Sequence, residues 1–161
     1  MSRFVVVIAF TVGCTMVLSG TASAGGAPTG ATSPAAAARG VIANEISGSW
    51  AEACSYFMPS FYEPCMQAAA KLDAKHFRFR GSLTLRQTVQ KGSRALVAVT
   101  GRICPSTGQG CQDNANPSLG MPGPKRSFAA AFAAAIKSSS NSFSPVPCIE
   151  IVSRWYVDAT Q

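Results

Sequence analysis

Residues 76–103 read HFRFRGSLTLRQTVQKGSRALVAVTGRI, and this stretch decides the fold. From His76 to Gln90 the even positions are His, Arg, Arg, Ser, Thr, Arg, Thr and Gln, while the odd ones are Phe, Phe, Gly, Leu, Leu, Gln and Val. A period of two is the pleat of a strand with one buried face. The run therefore predicts a long half-buried strand, or two bent at Gly81, with Arg78, Arg80 and Arg86 on the wet side. Lys91-Gly92-Ser93 turns the chain, and alternation resumes from Arg94 to Ile103 with Val97, Val99 and Ile103 on the odd side. Pairing odd with odd keeps the apolar faces together, which calls for a three-residue turn or a bulged two-residue one.

Before this hairpin the period is 3.6. Val41, Ile42, Glu45 and Ile46 carry helical spacing within residues 35–47, and Gly48-Ser49 interrupts. Trp50, Cys54 and Phe57 then fall on one face of a short second helix. Ser60-Phe61-Tyr62-Glu63 has the form of a capping box, so a third helix is expected from Phe61 to Leu72, with Pro64 tolerated in its first turn. After the hairpin, residues 104–126 are rich in proline and glycine and have no apolar period. Phe128, Phe132 and Ile136, spaced by four, predict an alanine-rich helix. Pro147–Val152 and Arg154–Asp158 read as two closing strands around Ser153. Helices followed by an antiparallel sheet make an α+β domain.

With 161 residues, 47% of them hydrophobic and 13% charged, the chain has room for one domain and is too apolar to be disordered throughout or a coiled coil. Arg3 is the only charge before the apolar run from Phe4 to Leu18, and Ala22-Ser23-Ala24 follows shortly after. That is the anatomy of a secretory signal peptide. Residues 1–24 are expected to be cleaved, leaving no transmembrane anchor. Residues 25–34 hold only Gly, Ala, Thr, Ser and Pro, which predicts a flexible tail. Residues 35–161 then form the single domain of a secreted protein, free in the medium or associated with the cell wall.

Cys14 leaves with the signal, so Cys54, Cys65, Cys104, Cys111 and Cys148 remain. Five thiols in an exported chain imply two structural disulfides and one leftover. Cys54 and Cys65 flank a break between helical patterns and could staple a helix pair. Cys104 with Cys111 closes a short loop, and Cys104 with Cys148 is the rival pairing. The spacings are not paired CxxC and His76 is the lone histidine, so no metal and no cofactor are expected.

The order of these pieces resembles the nuclear-transport-factor-2-like superfamily, and more narrowly its small exported bacterial members. The residues that carry the resemblance are Gly48-Ser49-Trp50-Ala-Glu-Ala-Cys54-Ser-Tyr56, Pro59, Cys65, Val97-Ala-Val-Thr-Gly101 and Pro147-Cys-Ile-Glu-Ile-Val-Ser-Arg154-Trp155-Tyr156-Val157. The resemblance implies a cone-shaped roll, cystatin-like in outline, with N-terminal helices packed on a curved antiparallel sheet around a pocket. It further implies that dimers through the sheet are possible. Ser153 departs from the glycine that such proteins often carry in the last turn. The fold hosts enzymes, ligand binders and interaction domains alike, so it supplies no activity.

The side chains add candidates without a catalytic signature. Asp73 and His76 are the only carboxylate–histidine neighbours, but His76 shares the wet parity of Arg78 and Arg80. Tyr156 and Asp158 share a parity opposite Trp155 and Val157, and only one parity can face inward. No nucleophile elbow, phosphate loop or HExxH is present, and no catalytic residue is assigned. Trp50, Phe57, Phe61, Tyr62 and Trp155 could line a pocket for a small apolar ligand, or fill a core. Arg78, Arg80, Arg86, Lys91 and Arg94 could face an anionic envelope component, or simply keep an apolar protein solvated. Nucleic acid is not expected, since no aromatic interleaves with them. The expected function is a non-catalytic binding or interaction module. The alternatives are a small lyase- or isomerase-like enzyme with an apolar pocket, and a binder of anionic envelope polymer.

Overall fold

The computed structural model describes residues 27–106, 110–114, 127–138 and 145–159. The expected signal peptide and most of the proline- and glycine-rich excursion lie outside them. Three helices come first: α1 (Pro34–Ser47), α2 (Trp50–Cys54) and α3 (Pro59–Ala74). Then follow β1 (Phe79–Lys91), β2 (Arg94–Pro105), β3 (Gln112–Asn114), α4 (Phe128–Ser138), β4 (Val146–Ile151) and β5 (Arg154–Val157). The antiparallel sheet runs β1-β2-β4-β5, with β3 also paired to β2. It curls strongly into a half-barrel against which α1 packs, giving an α+β fold.

The tail starts earlier to be structured than its composition suggests. Ala31 exchanges both backbone hydrogen bonds with Trp155 at 2.8 Å, and the N–H groups of Thr29 and Gly30 both donate to the Ser55 carbonyl at 3.0 Å. Backbone pairing fixes this uncharged segment without needing large side chains to bury. Ser33 then caps α1 by accepting from the Ala36 N–H at 3.1 Å, and Pro34 occupies the first helical position. The flexible-tail reading of residues 25–34 is therefore corrected for 27–34.

α1 ends at Gly48, whose φ of 78° a residue with a side chain adopts poorly. α3 begins at Pro59, and no side chain caps it. The expected capping box at Ser60 does not form, because Pro59 at the first position starts the helix two residues sooner. α2 and α3 are stapled by the Cys54–Cys65 disulfide, and Cys104–Cys111 closes the loop after β2. Cys148 stays a buried thiol.

The hairpin corrects the expected faces in one place. Lys91 pairs with Arg94 across a two-residue turn, and a bulge at Arg86 lets Leu85 pair with Val99 and Gln87 with Ala98. Up to Leu85 the odd residues face inward, where Leu83 and Leu85 join Ala95, Val97 and Val99 in the main core. Beyond the bulge the faces exchange, as an extra residue requires. Val89 thus joins Leu96 and Ala98 on the outer face, beneath Ala131, Phe132 and Ala135 of α4. β2 is buried on both sides from Ala95 to Thr100, whereas β1 is exposed at alternate or successive positions along its length. No helix among the described residues is long and apolar enough to cross a membrane.

Candidate functional site

The five aromatics that could line a pocket or fill a core lie in the main core cluster. Trp50, Phe57, Tyr62 and Trp155 are each less than a tenth exposed, and Phe61 packs against the same cluster half-buried. Trp50 leans on Phe77 and Phe79 with ring centroids 5.9 and 5.8 Å away, and Phe57 meets Phe61 edge-on at 5.4 Å. The indole N–H of Trp50 donates to the Phe77 carbonyl at 3.2 Å. Burying each such ring contributes roughly 1.5–3 kcal/mol, so this interior is stabilising core.

An opening lies to one side of it. Arg39, Ile42, Ala43 and Ile46 follow the three-and-four spacing of one helical face on α1, and they look across at Gly81–Leu85 of β1. Between them is an open groove of about 470 Å³. Its floor is apolar, made by Ile42, Ile46, Leu83 and Leu85, and Arg39 stands exposed at its rim. None of the five expected aromatics lines it. The groove is set by where α1 lies on the sheet, and no local pattern in the sequence marks it.

The basic residues divide. Arg78 precedes β1 and folds back over Gly48; its guanidinium donates to the Phe77 carbonyl at 2.7 Å and lies 3.8 Å from the Asp73 carboxylate. Both partners are about half exposed, so the ion pair adds little. Arg94 lies 5.2 Å over the Phe132 ring of α4. Lys91 stands exposed at the turn. Arg80 and Arg86 are exposed at the two ends of the groove-lining stretch, and Arg86 donates from Nε to the Thr100 hydroxyl at 3.1 Å. Arg102 pairs in register with Asp113 of β3. The expected basic residues are thus spread over different surroundings, and of them Arg80 and Arg86 flank the groove-lining stretch in sequence.

The acid–base candidates fall in different surroundings. His76 is exposed with φ 50° in the turn that ends α3, while Asp73 pairs with Arg78. Trp155 and Val157 join the main core, while Tyr156, packed on Gly30, and Asp158 are also buried, less than a tenth exposed. One carboxyl stands apart: Glu45 is half-buried where it continues the spacing of the buried Pro34, Ala38 and Val41 on α1, and desolvation pushes it up to about 7. Its place in that series, spaced by four, three and four, was the available signal. Among the described residues no cluster of His, Cys, Asp or Glu could hold a metal.

Comparison with protein-family models, with curated proteins and with solved structures gives no match.

Proposed function

We propose that this chain is a secreted, non-catalytic binding module of the nuclear-transport-factor-2-like type, with its ligand site in the groove between α1 and β1. The observation that carries the reading is the contrast between a cone interior packed with aromatics and an adjoining open groove with an apolar floor. Helices followed by a curled antiparallel sheet support the family, and two disulfides suit an oxidising compartment outside the cytoplasm. A catalytic reading would have to start from Glu45 or from Asp158, a buried carboxyl close to the Cys148 thiol.

Native mass spectrometry of the secreted protein tests the groove. A component that travels with the folded chain is expected to leave on denaturation and to be missing from Ala43→Phe, which fills the groove from its helix wall. A bound component retained unchanged by Ala43→Phe would place the site elsewhere.

A second reading, attachment to anionic envelope polymer, draws on exposed Arg80, Arg86 and Lys91. It requires cell-wall retention that weakens with salt and with Arg80→Ser and Arg86→Ser. Retention indifferent to both would end it.

A further inference from the structure

The groove has an unusual second wall. Among the described residues β1 has one strand partner, β2, so its other edge is open along the groove. In an antiparallel ladder every second residue turns its N–H and C=O away from the partner. Those groups form a ready template for one more strand. Exposure agrees: Arg80, Gly81, Ser82, Thr84 and Arg86 are all exposed, with half-buried Leu83 and Leu85 between them facing inward.

Charge distribution decides what kind of strand fits. An edge guarded against pairing carries charge, proline or a bulge along its middle, and here the bulge falls only beyond Leu85. Here Gly81-Ser82-Leu83-Thr84-Leu85 is uncharged, and arginines stand only at its ends, Arg80 and Arg86. Their side chains lie on the outer face of the sheet, Arg86 anchored there by Thr100, whereas the groove lies on the inner face. A strand laid beside β1 would send alternate side chains to these two faces. Apolar ones would enter the floor of Ile42, Ile46, Leu83 and Leu85, and the others would meet the arginines. Arg39 adds a further positive charge at the rim, and no acid lines the groove.

We propose that the Gly81–Leu85 edge of β1 binds an extended peptide segment of alternating apolar and acidic residues as an added strand. This rests on the groove being the binding site and names the ligand class. The occupant is a separate acidic chain and not a second copy. Symmetric antiparallel pairing about Leu83 would set Arg80 of one copy opposite Arg86 of the other at both ends, and directly opposed like charges destabilise a sheet. The chain's net charge of +7 adds to that repulsion.

The probe is acetylated, amidated Glu-Val-Glu-Val-Glu-Val-Glu, titrated by calorimetry and by amide exchange on the disulfide-intact protein. Saturable binding with a Kd on the order of 10–100 μM is expected. Replacing its Glu by Lys should weaken binding about tenfold or more, and Arg80→Glu, at an exposed position, should narrow that preference. Two further peptides, N-methylated at one or the other set of alternate amides, separate backbone from side-chain recognition. One set is expected to abolish binding and the other to spare it, with exchange slowed at alternate amides of Gly81–Leu85.

Binding by both methylated sets equal to the parent overturns strand addition while leaving the groove intact. Binding unchanged by Ala43→Phe overturns the groove as well. No saturation by about 1 mM overturns the acidic-strand proposal. So does a stable dimer that the peptide leaves undissociated, since a second copy would then hold the edge.

Discussion

Arg86 steps out of the β1–β2 ladder, and its Nε donates to the Thr100 hydroxyl at 3.1 Å. Thr100 passes the bond on, donating to the Thr84 carbonyl at 3.3 Å. A buried threonine therefore clamps the bulge from both sides. Thr100→Val keeps the shape, removes the hydroxyl and is expected to cost about 1 kcal/mol. Urea unfolding measures it, and a midpoint equal to that of the wild type would mean the clamp is idle.

The curl of the hairpin depends on two glycines with φ 128°, Gly81 and Gly101. A Cβ on Gly81 would collide with the Arg102 carbonyl, and one on Gly101 with the Ser82 carbonyl. Gly81→Ala and Gly101→Ala are each expected to cost about 2–4 kcal/mol. Gly92 is the control: its φ is 59° but nothing lies within 4 Å of a Cβ there. Gly92→Ala should cost about 1 kcal/mol, the conformational part alone. Equal losses at all three positions would refute the collision argument.

Glu45 sets a pH dependence opposite to that of most carboxylates. Burial raises it from 4.5 to about 7, so between those values the native state holds a proton that the unfolded chain releases. Stability is expected to fall as pH rises through that window. Glu45→Gln should flatten the profile and raise stability at pH 8 by about 1–2 kcal/mol. Thermal unfolding from pH 4.5 to 8 checks both; a wild-type profile unchanged by the substitution would show that the carboxyl is hydrated.

Cys148 is a thiol with no exposed surface, its Sγ 3.6 Å from the Pro34 carbonyl. Burial, and after it the charge of Asp158, pushes it up to about 12. The folded protein is expected to resist iodoacetamide at pH 8 and to take up one label on unfolding. Rapid labelling of the folded form would contradict its burial.

The β4–β5 turn places Val152 and Ser153 at φ 48° and 58°, with Val152 91% exposed. A β-branched residue is strained in this left-handed region, where Asn-Gly is at ease. Val152→Asn with Ser153→Gly should stabilise the protein by about 1–2 kcal/mol, read as a higher melting temperature. No gain would mean that the hairpin tip is unstrained.

The alternation of residues 76–103 was a sound guide because period two survives wherever a face is buried. It misled at Arg86, where two polar residues in succession conceal the added one. Gln87, the single polar residue in the apolar row, was the trace it left. Ser33-Pro34 held a helix start that the surrounding small residues masked. Arg78 shared the parity of Arg80 without sharing its strand, since β1 begins only at Phe79. The groove depends on the placement of α1 over β1, a long-range relation that neither segment encodes alone.

The reciprocal bonds between Ala31 and Trp155 also govern timing. The segment that leads into α1 finds its hydrogen-bonding partner in β5, more than a hundred residues further along the chain. Contacts at such separation form late and cost much chain entropy. During synthesis α1 can meet β1 and β2 before β5 is made, but the part of its apolar stripe that packs on β4 and β5 stays uncovered until they become available. A chain delivered across a membrane from its N-terminus would arrive still open, with its thiols accessible while they pair, and would lock only as its last strand emerged.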